Sequence, residues 1–489
     1  MFLCNNITSW LWIGLIGVFL CLIVKLFETS PVPNDIPWVL KRKGILGRAA
    51  ERFIGVNPVG FIHEGYQKYS KYQKPFVLPS VTEGDEVLLP TDQSNSILFA
   101  AETKFSFKSN IMEFFQLKYT SWPLAFSEKY DLYVKVISKD LTETLKTESV
   151  AISLNEIYLY SAMEKMASRM INVLAIGPGH SRDNILLSAM THCSNAIVFG
   201  ASIIKAFPSF LHPIVGPFVG LVNRYFELVF HSRMKPIIES KVDEQQKAMY
   251  LDGRQETLKP KVGVLLDLLI QTGLRSKWPM EITSMCVLLD ILSHPVEGKL
   301  TKLLQEEVES IAASSGGVWT AYNLGKASLL DSAVKESLRL NGINAASPTR
   351  KVVAPDGVTL ANNLFLPYGT KVGIPQYALH RDEEFYPEPD KYNPYRFYTT
   401  NATAAERHQN GMTTTSDKFV VFGHGRRQCP GRWIFAHIFK VFIAEMLLNY
   451  DIQPIPVRPR IHRWGRFQLP PVTTRIAVRR RKSKAPIPV

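Results

Sequence analysis

The chain has 489 residues, 46% of them hydrophobic, and a formal net charge of +14. No Ser/Gly-rich linker or repeat divides it after residue 40, so the sequence predicts one large domain whose core is big enough to bury a cofactor. The five cysteines are odd in number and widely spaced, without a C-x-x-C pair, which argues against a zinc site and fits a reducing compartment.

The first thirty residues differ in composition from the rest of the chain. Residues 9–24 are almost wholly apolar and predict one N-terminal transmembrane helix within a membrane anchor at 1–30. The run is shorter than the roughly 20 residues that a spanning helix needs, so a signal-peptide-like or interfacial segment remains the alternative. No Lys or Arg precedes it, and the cations that follow place the bulk of the protein on the cytoplasmic side: Lys25, Lys41, Arg42, Lys43 and Arg48.

Prolines mark the next two segments of interest. A stiff, basic hinge is predicted at 31–48, which contains Pro31, Pro33 and Pro37, so that the globular domain covers 49–489. Residues 199–220 are rich in large apolar side chains and are broken by three further prolines, at 208, 213 and 217. Proline lacks the N–H that a helix needs, so we expect no single helix to run through this segment.

A helix is predicted over 329–338, where apolar residues repeat with helical period. Glu336 and Arg339 are three residues apart and therefore share one face of this helix. Two short strands joined by turns are predicted downstream, at 350–360 and 369–374, with turn signals at Asp356-Gly357 and at Pro367 to Gly369.

The segment from Phe422 to Gly431 carries the most specific chemistry in the chain. Its sequence, FGHGRRQCPG, is a glycine-rich, cationic loop that leads into an amphipathic helix. Nearby arginines and a helix N-terminus favour a thiolate at Cys429, glycine at 425 and 431 permits close approach of a flat cofactor, and Arg427 can bind a carboxylate. Phe422 can pack over the sulfur. The alternatives are a phosphate-binding glycine loop or a buried structural cysteine.

The C-terminal residues are strongly basic and include Arg475, Arg479, Arg480, Arg481, Lys482 and Lys484. These cations are not interleaved with a recognisable nucleic-acid motif, so we expect no nucleic-acid partner. An anionic membrane surface and an acidic protein partner are the expected uses of this charge, and a solvated tail is the alternative.

The residues Phe422, Gly425, Arg427, Cys429 and Gly431 fill every fixed position of Phe-x-x-Gly-x-Arg-x-Cys-x-Gly, and this pattern resembles the haem-ligand signature of the cytochrome P450 family. Two upstream segments also resemble that family. They are Lys335 to Arg339 and the loop that contains Pro394 to Phe397. The longer match, from Phe422 to Trp433, is similar to filamentous-fungal members that act on terpenoids or related natural products.

The resemblance implies a mainly α-helical haem-thiolate fold with small β-sheets, preceded by one transmembrane helix. It implies haem b with Cys429 as the axial iron ligand and Arg350 as a second cation for the haem propionates. Glu336, Arg339 and Arg396 are expected to form a buried structural network. The implied reaction inserts one oxygen atom from O2 into a C–H bond of a lipophilic, terpenoid-type substrate in fungal secondary metabolism.

The same resemblance implies the cellular setting. Electrons are expected from NADPH through NADPH–cytochrome P450 reductase. The expected location is the endoplasmic reticulum membrane, spanned once, with the catalytic domain in the cytoplasm. Residues 199–220 resemble the family's mobile apolar lid, which contacts the membrane and admits substrate, and an irregular piece of core is the alternative.

The chain departs from the family at the distal segment, which looks shortened at residues 278–286. Pro279 is expected to interrupt any helix that enters from the N-terminal side. Thr283 and Ser284, with Glu281 before them, are the remaining counterparts, and Glu281 and Thr283 are the candidates for the acid and the alcohol that deliver protons. Alternatives are a haem protein impaired in oxygenation, a haem isomerase or dehydratase that needs no reductase, and a basic membrane-associated binding protein without haem.

Overall fold

The structure is a computed structural model that describes residues 16–17, 19–21, 23–28, 30–39, 46–47, 49–50, 52, 58–81, 83–120, 158–176, 183–251, 279–295 and 299–481. The predicted transmembrane helix lies largely outside the described residues. So do the basic residues Lys41, Arg42, Lys43, Arg48, Lys482 and Lys484. The hinge prediction at 31–48 and the domain boundary at residue 49 remain predictions.

The described residues are mainly helical, as the sequence predicts. The helices in chain order are α1 Pro58–Lys68, α2 Thr91–Leu98, α3 Phe107–Phe114, α4 Leu117–Thr120, α5 Leu159–Ile176, α6 Asn184–Ala206, α7 His212–Leu251, α8 279–292, α9 Leu300–Ser315, α10 Ala321–Leu324, α11 Ser328–Leu340, α12 Gln376–Leu379, α13 Ala404–Asn410 and α14 Arg432–Asn449. Short 3-10 turns occur at Ser70–Tyr72, Ser209–Leu211 and Gly425–Arg427.

The strands are short and form small sheets. They are β1 Phe76–Leu78, β2 Glu86–Leu88, β3 Phe105–Ser106, β4 Thr349–Val352, β5 Val358–Thr359, β6 Phe365–Leu366, β7 Lys371–Gly373, β8 Tyr450–Ile452, β9 His462–Trp464, β10 Phe467–Leu469 and β11 Val478–Arg480. The largest sheet has the order β1-β2-β7-β4-β3, in which β2 and β7 are parallel and the other pairs are antiparallel. Three antiparallel pairs complete the set: β5 with β6, β8 with β11, and β9 with β10.

Two hydrophobic clusters hold these elements together. The larger one joins helices α5 to α11 and α14, and fully buried side chains such as Leu289, Leu330 and Phe439 lie at its centre. The smaller one packs α1 and α2 against the five-stranded sheet. The Cys429 loop connects them, because Val420 belongs to the sheet cluster and Phe422 packs against the helical one.

The predicted helix over 329–338 and the two predicted strand segments are confirmed. Helix α11 covers the first, β4 begins one residue before the segment at 350–360 and overlaps its start, and β5 and β7 lie within the two strand segments. Both turn signals are correct, since Gly357 and Gly369 adopt left-handed backbone angles of +73° and +85° in φ. Glycine tolerates these angles at little cost, which is why these positions turn the chain.

The prediction for residues 199–220 is only partly correct. Helix α6 ends at Ala206, before Pro208, so no single helix runs through the segment. Helix α7 nevertheless begins at His212 and contains Pro217 and Pro236 inside its 40 residues. Pro213 falls in the first turn, where backbone N–H groups have no partner within the helix. Each interior proline removes one backbone hydrogen bond, and the helix continues through its remaining turns.

Among the residues that the structure describes, one helix is long and apolar enough to cross a membrane. This helix is α6, with a mean hydropathy of 1.3 over its most apolar stretch. Half of that stretch is buried inside the protein, and a buried core helix can meet the same criteria of length and hydropathy.

Candidate functional site

The loop that carries Cys429 is shaped by its backbone. The N–H of Cys429 donates a hydrogen bond to the carbonyl oxygen of Phe422 at 2.6 Å, which closes the loop just before α14. Gly425 has a φ of +76°, and a Cβ atom there would lie 2.5 Å from the carbonyl oxygen of Leu98. Glycine is therefore required at 425. Gly431 has an ordinary φ of −82°, so its backbone angles do not require glycine, and the expected close approach of a cofactor there stays a prediction.

The Cys429 side chain is exposed, yet it lies deep among protein atoms, as a group does at the floor of a cleft. Burial raises the pKa of its thiol. Hydrogen bonds from the backbone of Gly431 and Arg432 and the charge of Arg432 act in the opposite direction without overcoming burial. The expected lowering of the pKa by cations and the helix N-terminus is thus outweighed in the free protein. Coordination to a metal deprotonates a thiol outright.

Arg432 is a site residue that the sequence reasoning missed. Its Nη1 donates to the carbonyl oxygen of Cys429 at 2.9 Å, and its Nε is buried without a hydrogen bond within the described residues. A buried donor of this kind fits an anionic group beside the thiol. The sequence signal was present, because Arg432 directly follows Gly431 at the start of α14.

Arg427 contacts a carboxylate of the protein itself. Its Nε donates to Oε2 of Glu102 at 3.1 Å. Glu102 also accepts from the Ser106 hydroxyl at 2.8 Å and from the Lys108 backbone N–H at 2.9 Å. The Glu102 pair orients the guanidinium from the segment between α2 and β3. A sequence motif could not reveal this partner, because it lies 325 residues away in the chain.

Arg350 is only 1% exposed and lies on β4, in the five-stranded sheet. Its Nη1 donates to the Thr349 carbonyl oxygen at 2.9 Å, and its guanidinium lies 5.0 Å from the centre of the Phe107 ring. A buried arginine is rare in proteins unless an anion accompanies it. Its position is compatible with the propionate role that the family resemblance implies.

The structure brings Glu336, Arg339 and Arg396 together. Glu336 is 0% exposed and accepts two hydrogen bonds from Arg339, both at 2.8 Å. Arg396 Nε lies 3.0 Å from both carboxylate oxygens of Glu336. The remaining donors of the two arginines bind carbonyl oxygens, including those of Pro387 and Pro389 at 2.7 Å each. The network joins α11 to the loop at 387–396 and is structural in geometry.

His380 links this network to the Cys429 loop. Its Nδ1 donates to the Arg339 carbonyl oxygen at 3.2 Å, and its Nε2 accepts from the Val420 backbone N–H at 3.1 Å. Arg339 in turn donates to the His380 carbonyl oxygen. Burial and the neighbouring arginines lower the pKa of His380 to about 3, so the ring stays neutral and can accept from Val420.

Glu281 and Thr283 lie on α8, which is packed on all faces. Every residue from 280 to 292 is buried, including Glu281 at 1% and Thr283 at 7% exposure. Glu281 lies 3.5 Å from the hydroxyl of Tyr160 on α5. The other end of α8 is tied to α11, where Asn341 Nδ2 donates to Asp290 at 2.6 Å. Among the described contacts, none joins Glu281 or Thr283 to the Cys429 loop.

Pro279 is the first described residue of α8. Residues 252–278, including Trp278, lie outside the part of the chain that the structure describes. Whether Pro279 interrupts a longer helix therefore stays a prediction.

The fold is helical, and an accessible cysteine lies on a cationic loop just before a buried helix. This arrangement is typical of haem-thiolate proteins as a class, and comparison with known proteins agrees. The family model for cytochrome P450 matches residues 279–478. The cytochrome P450 monooxygenase nodZ of Hypoxylon pulicicidum is 29% identical, with 96% of both chains covered. The monooxygenase polB of Polytolypa hystricis is 26% identical, with 96% of this chain and 98% of the relative covered.

Among solved structures, retinoic acid-bound cyanobacterial CYP120A1 superimposes with a TM-score of 0.56 at 17% identity, covering 93% of this chain and 100% of that one. It supports the fold alone. Together, the family model and these relatives support a cytochrome P450 family protein of the filamentous-fungal type. They also support a cytochrome P450 monooxygenase with haem b as its cofactor.

The residues around Cys429 fit this cofactor. The thiol is accessible, the apolar Phe422 packs beside the loop, and Arg432 offers a buried donor without a hydrogen bond in the described contacts. Helix α8 differs from this loop, because its residues from 280 to 292 are all buried and leave no face open to a cofactor. The alignment with nodZ runs over 508 positions although it covers 96% of a 489-residue chain, so the relative carries residues that this chain lacks.

Proposed function

We propose that this protein is a membrane-anchored monooxygenase that inserts one oxygen atom from O2 into a lipophilic, terpenoid-type natural product in fungal secondary metabolism. Haem b bound through a thiolate supplies the oxygen-activating chemistry. The observation that carries the proposal is the placement of Cys429, accessible and held at the start of α14 by the Phe422 carbonyl. The terpenoid class rests on the resemblance of the loop sequence through Trp433.

In this proposal Cys429 is the axial iron ligand. Gly425 and Gly431 let the loop approach a flat cofactor, and Phe422 shields the sulfur from water. Arg350 and Arg427 neutralise the propionates, and Arg432 adds a donor on the same side. The buried network of Glu336, Arg339 and Arg396 fixes the loop through His380.

Glu281 and Thr283 are the proposed acid and alcohol for proton delivery. They are the acid and alcohol that remain in the shortened segment, and they lie at the N-terminal end of α8. Both side chains are buried, whereas a proton-delivering hydroxyl must reach the pocket, so the role requires α8 to open toward the cofactor.

We also propose that residues 1–30 anchor the protein in the endoplasmic reticulum membrane, that 31–48 form a hinge and that 49–489 form the cytoplasmic catalytic domain. Exposed apolar side chains in the described part of the anchor support this: Ile16, Phe19 and Leu20 are 55%, 63% and 54% exposed. The proposed electron donor is NADPH–cytochrome P450 reductase, and a basic surface that includes Arg480 fits an acidic partner.

The test is the difference spectrum of the reduced, carbon monoxide-bound full-length protein. Thiolate ligation shifts the main absorption band far to the red of a histidine-ligated haem. We expect the red-shifted band in the wild type and its loss in Cys429→Ala. Soluble protein that binds haem without the red-shifted band would contradict the ligand assignment.

A second candidate function is haem binding without efficient oxygenation, either as an impaired relative or as an isomerase or dehydratase that needs no reductase. The complete packing of α8 between residues 280 and 292 favours it. Reconstitution with NADPH and the reductase separates the two candidates. Substrate-dependent NADPH consumption coupled to product supports the monooxygenase, and a red-shifted band without such consumption supports the second candidate.

A further inference from the structure

A large cavity lies away from Cys429, beside the N-terminal segment. Its volume is about 1190 Å³, which exceeds the range of about 300–1,000 Å³ typical of small-molecule pockets. Its walls come from the end of the N-terminal helical segment around residues 25–31, Arg52, the β1–β2 connection at 80–85, the segment from β3 to α4, the turn between α6 and α7, and the segment from β4 to β7.

The lining of this cavity is rich in charge and carries more cations than anions. Among the residues that the structure describes, four Asp and Glu residues line it: Glu28, Glu83, Asp85 and Glu113. Seven described Lys and Arg residues line it: Lys25, Arg52, Lys108, Lys118, Lys205, Lys351 and Lys371. The lining thus has an excess of three positive charges, which is unusual for a pocket that admits only lipophilic substrate.

The carboxylates are already engaged by some of these cations. Glu113 binds both Lys351 and Lys371, the latter at 2.8 Å, and the two lysines lower its pKa to about 2. Glu83 binds Lys205, and Asp85 binds Arg52. These pairs fix the cavity wall, and the excess positive charge remains for a ligand that enters from outside.

The mouth of the cavity is bordered by exposed apolar side chains. Phe27 and Phe210 line the cavity and are 40% and 67% exposed. The backbone N–H and hydroxyl of Ser209 both donate to Glu28 at 2.5 Å, so the N-terminal segment and the α6–α7 turn are joined there. The same N-terminal segment and helix α7 carry further exposed apolar residues: Phe19, Leu20, Val24, Ile214 and Phe218.

Exposed apolar side chains at the mouth of a cationic cavity match the layered chemistry of a lipid leaflet, in which an anionic headgroup region borders the acyl chains. We propose that this cavity binds the phosphate headgroup of an anionic glycerophospholipid, such as phosphatidylserine, whose acyl chains lie against the apolar rim. A free phosphate shares the headgroup's charge but not its chains. The inference goes beyond the proposed function and requires neither haem nor turnover.

The test uses the full-length protein in neutral detergent and isothermal titration calorimetry. The ligands are dihexanoyl phosphatidylserine, dihexanoyl phosphatidylcholine and inorganic phosphate. We expect saturable binding of the phosphatidylserine, and weaker binding of the other two, because one lacks net negative charge and the other lacks acyl chains. Increasing ionic strength should weaken the binding of phosphatidylserine.

The test variant is Lys118→Gln/Lys351→Gln. Lys118 is exposed, and loss of Lys351 leaves Glu113 bound to Lys371, so the wall should stay intact. At about 1 kcal/mol per basic residue, we expect phosphatidylserine to bind roughly 25-fold more weakly. Lys302→Gln/Lys391→Gln removes the same charge from exposed sites outside the cavity and should bind as the wild type does.

Three results would overturn the proposal. The first is equal binding of phosphatidylcholine and phosphatidylserine. The second is inorganic phosphate binding as tightly as phosphatidylserine, which would make the cavity a site for a free anion. The third is unchanged phosphatidylserine affinity in the cavity variant. If that variant fails to fold, an affinity of the wild type that does not depend on salt gives the same negative answer.

Discussion

The Cys429 loop and helix α8 differ in what surrounds them. Residues 421–433 are mostly half-buried, and the Cys429 side chain is open to solvent. Residues 280–292 are all buried and pack into the helical core. The loop therefore has a surface that a cofactor can contact, whereas every face of α8 packs against protein.

This difference separates two properties that usually occur together in the family. Binding haem requires an accessible thiol, which the chain provides at Cys429. Oxygenation also requires controlled proton delivery, for which Glu281 and Thr283 are the proposed residues. The comparison thus predicts that spectra of the bound cofactor and rates of turnover respond to different substitutions.

The largest expected effect comes from Cys429→Ala. This change removes the one thiol in the loop, so the red-shifted absorption band and all oxygenation should disappear. Circular dichroism should stay close to that of the wild type, because the side chain is exposed and small. Cys21→Ala, which removes another free cysteine, is the matched control and should keep the band. Oxygenation that survives Cys429→Ala would refute the assignment.

The next effect concerns the support behind the loop. Glu336→Gln removes the carboxylate that binds Arg339 and Arg396 and leaves two buried cations without it. Breaking a buried ion pair costs about 3–5 kcal/mol, so we expect a loss of that size in the free energy of unfolding. Denaturant titration measures it.

Glu388→Gln serves as the control for the network. Glu388 forms an exposed pair with Lys391, and both side chains are about 70% exposed. Exposed pairs contribute about 0–1 kcal/mol, so this variant should unfold close to the wild type. Equal losses in the free energy of unfolding of the two variants would show that the buried network contributes no more stability than an exposed ion pair.

A pH effect of intermediate size is expected from His437 on α14. Burial lowers the pKa of His437 to about 4, and its two ring nitrogens make no hydrogen bond in the described structure. Below its ordinary value of 6.5, the unfolded chain binds a proton that the folded protein does not. The free energy of unfolding should therefore fall as pH decreases from 6.5 to about 4.

His437→Leu should flatten this part of the pH profile, by at most about 2 kcal/mol at pH 5. Denaturant titrations at several pH values measure the slope. His63→Gln, which removes an exposed histidine, should leave the slope unchanged. The remaining acid sensitivity in His437→Leu should come from His380, whose pKa of about 3 gives a change of the same sign. An identical slope in the two variants would contradict the role of His437.

The smallest effect on the absorption band is expected from Thr283→Val, because Thr283 is not proposed to hold the cofactor. If Thr283 delivers protons, as proposed, the coupling of substrate-dependent NADPH consumption to product should fall by about 10²–10⁴-fold. A change of less than about twofold would show that α8 only packs. Glu281→Gln tests the proposed acid in the same assay.

The features that could be predicted best from the sequence are those that depend on residues close together in the chain. The Cys429 loop, the turn glycines at 357 and 369, and the helical spacing of Glu336 and Arg339 are all encoded within a few positions. These predictions needed no knowledge of distant partners.

Features that depend on tertiary partners could not be predicted in this way. Glu102 meets Arg427, Tyr160 meets Glu281, and burial outweighs the cations at Cys429. The helix also continues past Pro217, although proline alone argued for a break. Packing outside the local window decides each of these cases.

His380 gives the fold a further property. It is hydrogen-bonded on one side to the end of α11 and on the other to Val420, two residues before the cofactor loop begins. Order in the loop and order in α11 are therefore thermodynamically linked. A ligand that binds only the folded loop stabilises the whole folded state. Cofactor supply during synthesis should thus influence how much of this protein survives in the folded state.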